Sequence, residues 1–122
     1  MSGAVNIERC FDKFDDLFSP KIVGELNGQH VKLVRAEGDK VPLHAHEGED
    51  ELFFVFDGEL IVIDEDKEVT VGPGEFYIVR RGRKHRVVPI GHVKLMLFEP
   101  AGIEHTGKVE SEITRKEFDR LE

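Results

Sequence analysis

Between residues 21 and 99 the chain is cut at close intervals by turn-forming residues, and this punctuation constrains the fold more than any other feature. Asn27-Gly28, Gly38-Asp39, Glu47-Gly48, Gly58, Glu65-Asp66, Gly72-Pro73-Gly74, Gly82 and the pair Pro89 and Gly91 leave only short stretches between them. Those stretches, 21–26, 30–37, 43–46, 51–57, 59–64, 67–71, 76–79, 86–88 and 93–98, are rich in β-branched and aromatic side chains. Asn-Gly between two such stretches is a strong hairpin signal. About eight or nine short strands joined by tight turns predict an all-β sandwich or small barrel and exclude alternating β and α units.

At 122 residues the chain makes one domain, and it can bury about two-thirds of its unfolded surface without staples. The reading divides it into an N-terminal segment 1–20, a β body 21–99 and a C-terminal tail 100–122. Phe11, Phe14, Leu17 and Phe18 fall at helical spacing within 10–18, which predicts a short helix or an aromatic plug stopped by Pro20. Thr114-x-x-Glu117 matches a capping box, with Phe118 and Leu121 one turn apart, so a short C-terminal helix is expected. The alternative is a tail that frays or docks on a partner.

Charge narrows the partners. The 17 Lys+Arg against 25 Asp+Glu give a net −8, which argues against nucleic acid or an anionic membrane held by bulk charge. The longest apolar run, Leu52 to Phe56, is far short of the ~20 residues of a membrane span. The opening MSGAVNIERCF has neither a basic n-region nor an apolar h-region, and Cys10 is the single cysteine, so a reducing, cytoplasmic setting is expected. Both faces of 52–56 are apolar, and so are both faces of 93–98. An isolated barrel shows polar residues outside. Something must therefore cover this surface, the N-terminal segment or a second subunit, and the reading favours a homodimer.

Three histidines and a glutamate carry the chemistry. His44 and His46 are two apart, which on a strand puts both on one face. Glu51 follows beyond Gly48, and His85 heads a later stretch. Three imidazoles and a carboxylate supply four ligands and leave one or two positions open, as a catalytic or ligand-binding metal requires. Taken alone, His-x-His on an exposed strand is common without any metal. Glu49 is the rival carboxylate in a loop that also holds Glu47 and Asp50, whose ordinary explanation is a solvated acidic turn. His30, His92 and His105 read as surface or turn residues.

Gly38, His44, His46, Glu51 and Gly58 are spaced G-x5-H-x-H-x4-E-x6-G, and Gly74, Gly82 and His85 are spaced G-x5-R-x-G-x2-H. These resemble the two signature motifs of the cupin superfamily, over roughly residues 21–99. The chain looks like a small single-domain cupin of the kind loosely labelled mannose-6-phosphate isomerase-like. Arg80 stands where the second motif usually has proline, and Pro89 where it often ends in asparagine. The resemblance implies an antiparallel β-barrel of the double-stranded β-helix, or jelly-roll, type. It also implies a divalent transition metal (iron, manganese, nickel, cobalt, zinc or copper) held by His44, His46, Glu51 and His85. Phe53 and Val55, in phase with Glu51, would then form a dry apolar wall beside the ion.

Arg80, Arg81, Arg83, Lys84 and Arg86 crowd five basic residues around His85. The functional reading makes Arg80 and Arg83 an anion-recognising rim for a phosphate or carboxylate. The ordinary alternative is a solvated turn. Three functions remain for a small-molecule partner: a metalloenzyme of the isomerase, epimerase or dioxygenase type on a polar or anionic compound, a non-catalytic sensor or carrier in which the metal anchors the ligand, and a dimeric scaffold with a vestigial metal.

Overall fold

The computed structural model describes residues 3–101 and 118–121. One short helix, α1 (Ile7–Phe11), precedes seven strands: β1 (Lys21–Leu26), β2 (Gln29–Ala36), β3 (Glu51–Asp64), β4 (Lys67–Val71), β5 (Phe76–Val79), β6 (His85–Pro100) and β7 (Asp119–Arg120). The strands run in the order β4-β3-β6-β2-β1-β7, with β5 added to β3. All pairings are antiparallel except the short β1–β7 contact.

Two long strands organise the fold. The first half of β3 pairs with β5 and its second half with β4, while β6 runs alongside both halves. Both strands shift register at the same place, around Gly58 on β3 and opposite 91–93 on β6. This turns one sheet into two facing layers, a jelly roll that does not close into a continuous barrel. The turn signals at Gly58 and at Pro89 and Gly91 predict strand breaks. The structure replaces both breaks with bends inside continuous strands. Gly58 has φ +82°, and a Cβ there would lie 2.5 Å from the His92 carbonyl oxygen. Glycine at this position lets two backbones approach and bend together.

Alternation along the strands builds the interior. Phe53 and Val55, Leu60 and Val62, and Val93, Leu95 and Leu97 all point inward, joined by Val34, Ala36, Val71, Val79 and Val87. Each fully buried aliphatic side chain contributes about 1.5–3 kcal/mol relative to exposure. Stretch 43–46 is not a strand; His44 alone makes a β-bridge, to His85.

The apolar outer face is partly covered by the N-terminal segment. Asn6 caps α1, its side chain accepting from Arg9 N at 2.9 Å. The helix presents Cys10 and Phe11 to Val23 and Leu33, with Phe14, Phe56 and Met96 packed around them. The helix ends at Phe11, earlier than the 10–18 pattern suggested, and Phe14 and Phe18 continue as an aromatic plug. At the other end, Thr114 and Glu117 lie outside the described residues. Phe118 to Leu121 do not continue a helix: Asp119 and Arg120 add a short parallel strand to β1, and Leu121 N donates to Ile22 O at 2.9 Å.

Candidate metal centre

The backbone brings the four sequence-predicted ligands together from three places. His44 N donates to His85 O at 2.9 Å, and His85 N returns to His44 O at 2.8 Å. Gly82 N donates to His46 O at 2.8 Å, tying the His44–His46 loop to the turn before β6. Glu51 is the first residue of β3 and His85 the first of β6, adjacent strands in the sheet.

All four side chains are buried, and one ligating atom from each lies within 4.8 Å of the others. His46 Nε2 is 3.3 Å and His85 Nε2 3.4 Å from Glu51 Oε1. These approaches lack hydrogen-bond geometry: the Nε2 atoms of His44, His46 and His85 and the Oε1 of Glu51 are all buried without a hydrogen-bond partner among the described residues. Four orphaned polar atoms at one point are costly unless something satisfies them together. One cation does so, because ligands about 2.0–2.2 Å from a metal lie up to roughly 4.4 Å apart across it, so a small inward shift closes the set.

The far side of two rings is fixed. His44 Nδ1 lies 2.7 Å from the Pro42 carbonyl and His85 Nδ1 3.0 Å from the Arg83 carbonyl. A carbonyl only accepts, so Nδ1 carries the hydrogen and each Nε2 lone pair faces the cluster. Electrostatics favour the ligating forms of His44 and Glu51. Burial pulls His44 down to about 4, so its imidazole is neutral at ordinary pH. Burial opposes the charge on Glu51, but His46 and His85 beside it win and hold the carboxyl well below its usual range. Burial likewise opposes protonation of His85, and Glu51 outweighs it, raising that imidazole.

An apolar cavity of about 50 Å³ opens beside the cluster, with His44 and Glu51 at its polar end and Phe18, Val34, Phe53, Leu95 and Leu97 among its walls. Phe53 is in the wall as the alternation suggested. Val55 is buried deeper in the core and does not reach the cavity.

The two arginines are placed differently from the expected rim. Arg83 Nε donates to Asp64 Oδ1 at 2.6 Å and its Nη1 is 3.4 Å from Glu65. Tyr77 O–H donates to the other Asp64 oxygen at 2.6 Å. Arg83 thus serves the site through its backbone carbonyl, and Asp64 locks the turn that presents it. Arg80 pairs with Asp50 at 3.2 Å, whose second oxygen accepts from Arg81 N. Arg80, Arg81 and the rival carboxylate Glu49 line a separate groove with Leu52, Ile78 and Phe98. Acidic partners brought up from the 50 and 64 positions engage both guanidinium groups; among the described residues no lysine or arginine lines the cavity beside the cluster.

Three inward residues escaped the sequence reading. Lys32 and Glu99 are fully buried and paired at 3.0 Å. His30 is buried as well, 3.3 Å from Glu25, where a surface residue was expected. The signal was present: 30 and 32 are in phase with inward Val34 and Ala36, and 99 with Val93, Leu95 and Leu97. His92 is at the surface between Glu37 and Arg35, as expected, and His105 lies outside the described residues.

A family model described as a cupin domain matches residues 32–99. Over 79 residues the chain is 33% identical to the tetracenomycin polyketide synthase protein TcmJ of Streptomyces glaucescens, covering 63% of this chain and 52% of that protein, so it spans about half the length of this curated relative. Among solved structures it is similar to a cupin-2 domain containing protein from Shewanella frigidimarina NCIMB 400, at 32% identity and TM-score 0.77, covering 80% of this chain and 94% of that one. It also resembles protein NMB1881 from Neisseria meningitidis, at 24% identity and TM-score 0.72, covering 81% and 100%, a likeness of fold.

Proposed function

This chain belongs to the cupin family, and from that premise we propose that it holds one divalent transition metal on His44, His46, Glu51 and His85 and binds a small molecule against it. The observation that carries this reading is the convergence of four buried, unpartnered ligating atoms next to an apolar cavity. Such an ion, when bound, supplies Lewis acidity or a redox centre to a ligand oxygen. The chain's own residues do the rest. His44 and His85 are held in one tautomer by Pro42 and Arg83, and Phe18, Phe53, Leu95 and Leu97 exclude water from the ligand side.

The walls favour a ligand with one oxygen directed at the metal and a small apolar body, over the anionic compound that the basic stretch suggested. An isomerase needs a general base that is not a metal ligand. Among the described residues lining the cavity, only His44 and Glu51 titrate. Within the enzyme readings this supports metal-centred chemistry of the dioxygenase type. The second reading is a carrier or sensor in which the same site only anchors its ligand. Elemental analysis of untagged protein, followed by a thermal-shift screen of metal-loaded and chelated samples, tests the proposal. Stabilisation by small phenols and aliphatic alcohols only when metal is present supports it; oxygen uptake with such a ligand separates the enzyme from the carrier.

The same proposal includes a homodimer in a cytoplasmic setting; the outer face that α1 leaves open supports the dimer. Phe76 is 59% exposed, next to half-buried Leu52, Phe54, Ile78 and Phe98. Sedimentation at micromolar protein tests it, and a clean monomer contradicts it.

A further inference from the structure

We propose that Glu99, held in place by Lys32, is a positioning residue for Glu51 and fixes which carboxylate oxygen faces the three imidazoles. The inference rests on the metal-site reading above and extends it to two residues that touch no ligand position.

Lys32 and Glu99 are fully buried, and Lys32 Nζ donates to Glu99 Oε1 at 3.0 Å. The Phe118 ring lies 3.7 Å from the same ammonium and shields it from water. Replacing a buried ion pair with apolar residues of similar size is often neutral or stabilising, so this pair is not accounted for by stability alone. Its position supplies another account. Glu99 Oε2 is buried and has no partner of good hydrogen-bond geometry. On the antiparallel β3–β6 ladder Leu52 pairs with Phe98 and Phe53 with Leu97, so Glu99 stands across from Glu51 at the next position, with both side chains buried. Glu51 in turn points its Oε1 at His46 and His85.

The order across β2, β6 and β3 therefore runs Lys32, Glu99, Glu51 and then the ligand cluster. Lys32 and Glu99 sit on β2 and β6, neighbouring strands whose ladder is continuous from Gln29 to Ala36. A rigid pair behind a short, rotatable glutamate removes its freedom to turn away from the imidazoles. Groups that orient a ligand in this way characteristically change metal affinity by about 10–100-fold.

The test uses cobalt(II) as the probe, with wild type, Glu99→Gln, Glu99→Leu and Lys32→Met chains. Affinity is measured by competition with a chelator, and the visible ligand-field spectrum reports how Glu51 coordinates. Glu99→Leu and Lys32→Met are expected to bind cobalt about 10–100-fold more weakly and with an altered spectrum. Glu99→Gln, whose amide still reaches both neighbours, is expected to stay near wild type. Melting of the metal-free chains checks folding. Should Glu99→Leu fail to fold, the double change Lys32→Met/Glu99→Leu removes both charges and serves instead. Wild-type affinity and spectrum in a folded Glu99→Leu or double-variant chain overturn the inference while leaving the metal site standing. No cobalt binding by the wild type overturns both.

Discussion

His44 and His85 are joined backbone to backbone by two hydrogen bonds of 2.9 and 2.8 Å, which set their rings 4.4 Å apart. The bridge anchors a loop without strand partners of its own to the start of β6. Since ligands from that loop, β3 and β6 meet at one point, bound metal and folding stability are linked. A free ion at a hundredfold excess over its Kd adds about 2.7 kcal/mol. Chelation is therefore expected to lower the melting temperature by several degrees, and His44→Ala to abolish the difference between loaded and chelated samples.

Gly58 makes a sharper prediction about the scaffold. Its φ of +82° and a Cβ position 2.5 Å from the His92 carbonyl oxygen penalise any side chain. Backbone strain alone is worth about 1–3 kcal/mol, and the backbone contact adds to it. Gly74, at φ +81°, has nothing within 4 Å of its Cβ position. Urea denaturation should find Gly58→Ala distinctly less stable than Gly74→Ala; equal losses would mean that the bend is set elsewhere.

Phe11 tests the role of the N-terminal segment. Its ring is fully buried and meets Phe56 edge-on, centroids 5.8 Å apart. Truncating a buried phenylalanine to alanine costs about 3–5 kcal/mol. Phe11→Ala should lose that much in equilibrium unfolding; a loss below about 1 kcal/mol would place the segment outside the cooperative unit.

Asp64 gives a pH dependence. Burial would raise its carboxyl, but hydrogen bonds from Tyr77 and Arg83 outweigh burial and hold it below the ordinary 3.8. The unfolded chain therefore takes up the proton first. The stability that Asp64 supplies is fully present above pH 3.8 and is lost as pH falls through the lower native value. Wild type should exceed Asp64→Asn in stability at neutral pH, and the gap should narrow below that range. A gap independent of pH would show that Asp64 contributes shape and not charge.

The sequence revealed what depends on local chemistry. Stretches 21–26, 67–71 and 76–79 agree with β1, β4 and β5 to the residue, because each ends in a genuine turn. Gly58 misled the reading because a glycine that closes a turn and one that admits a neighbouring backbone look alike in one dimension. The grouping of His44, His46, Glu51 and His85 was legible through motif spacing, although His44 and His46 sit on a bridged loop and not on the expected strand face. Arg80 and Arg83 were not: closeness to His85 in the chain says nothing of the distant Asp50 and Asp64 that hold them. Lys32 and Glu99 stayed hidden because a charge in phase with core residues gains its meaning only when the opposite charge arrives from another strand.

The central claim is that four side chains make one metal site, and metal stoichiometry in untagged protein tests it most directly. Elemental analysis after loading and desalting should find one transition-metal ion per wild-type chain and essentially none in His46→Ala or His85→Ala, with both variants still folded. Glu49→Gln, in the separate groove, should retain the ion. Full occupancy in either histidine variant, or loss of the ion from Glu49→Gln with retention in Glu51→Gln, would contradict the account.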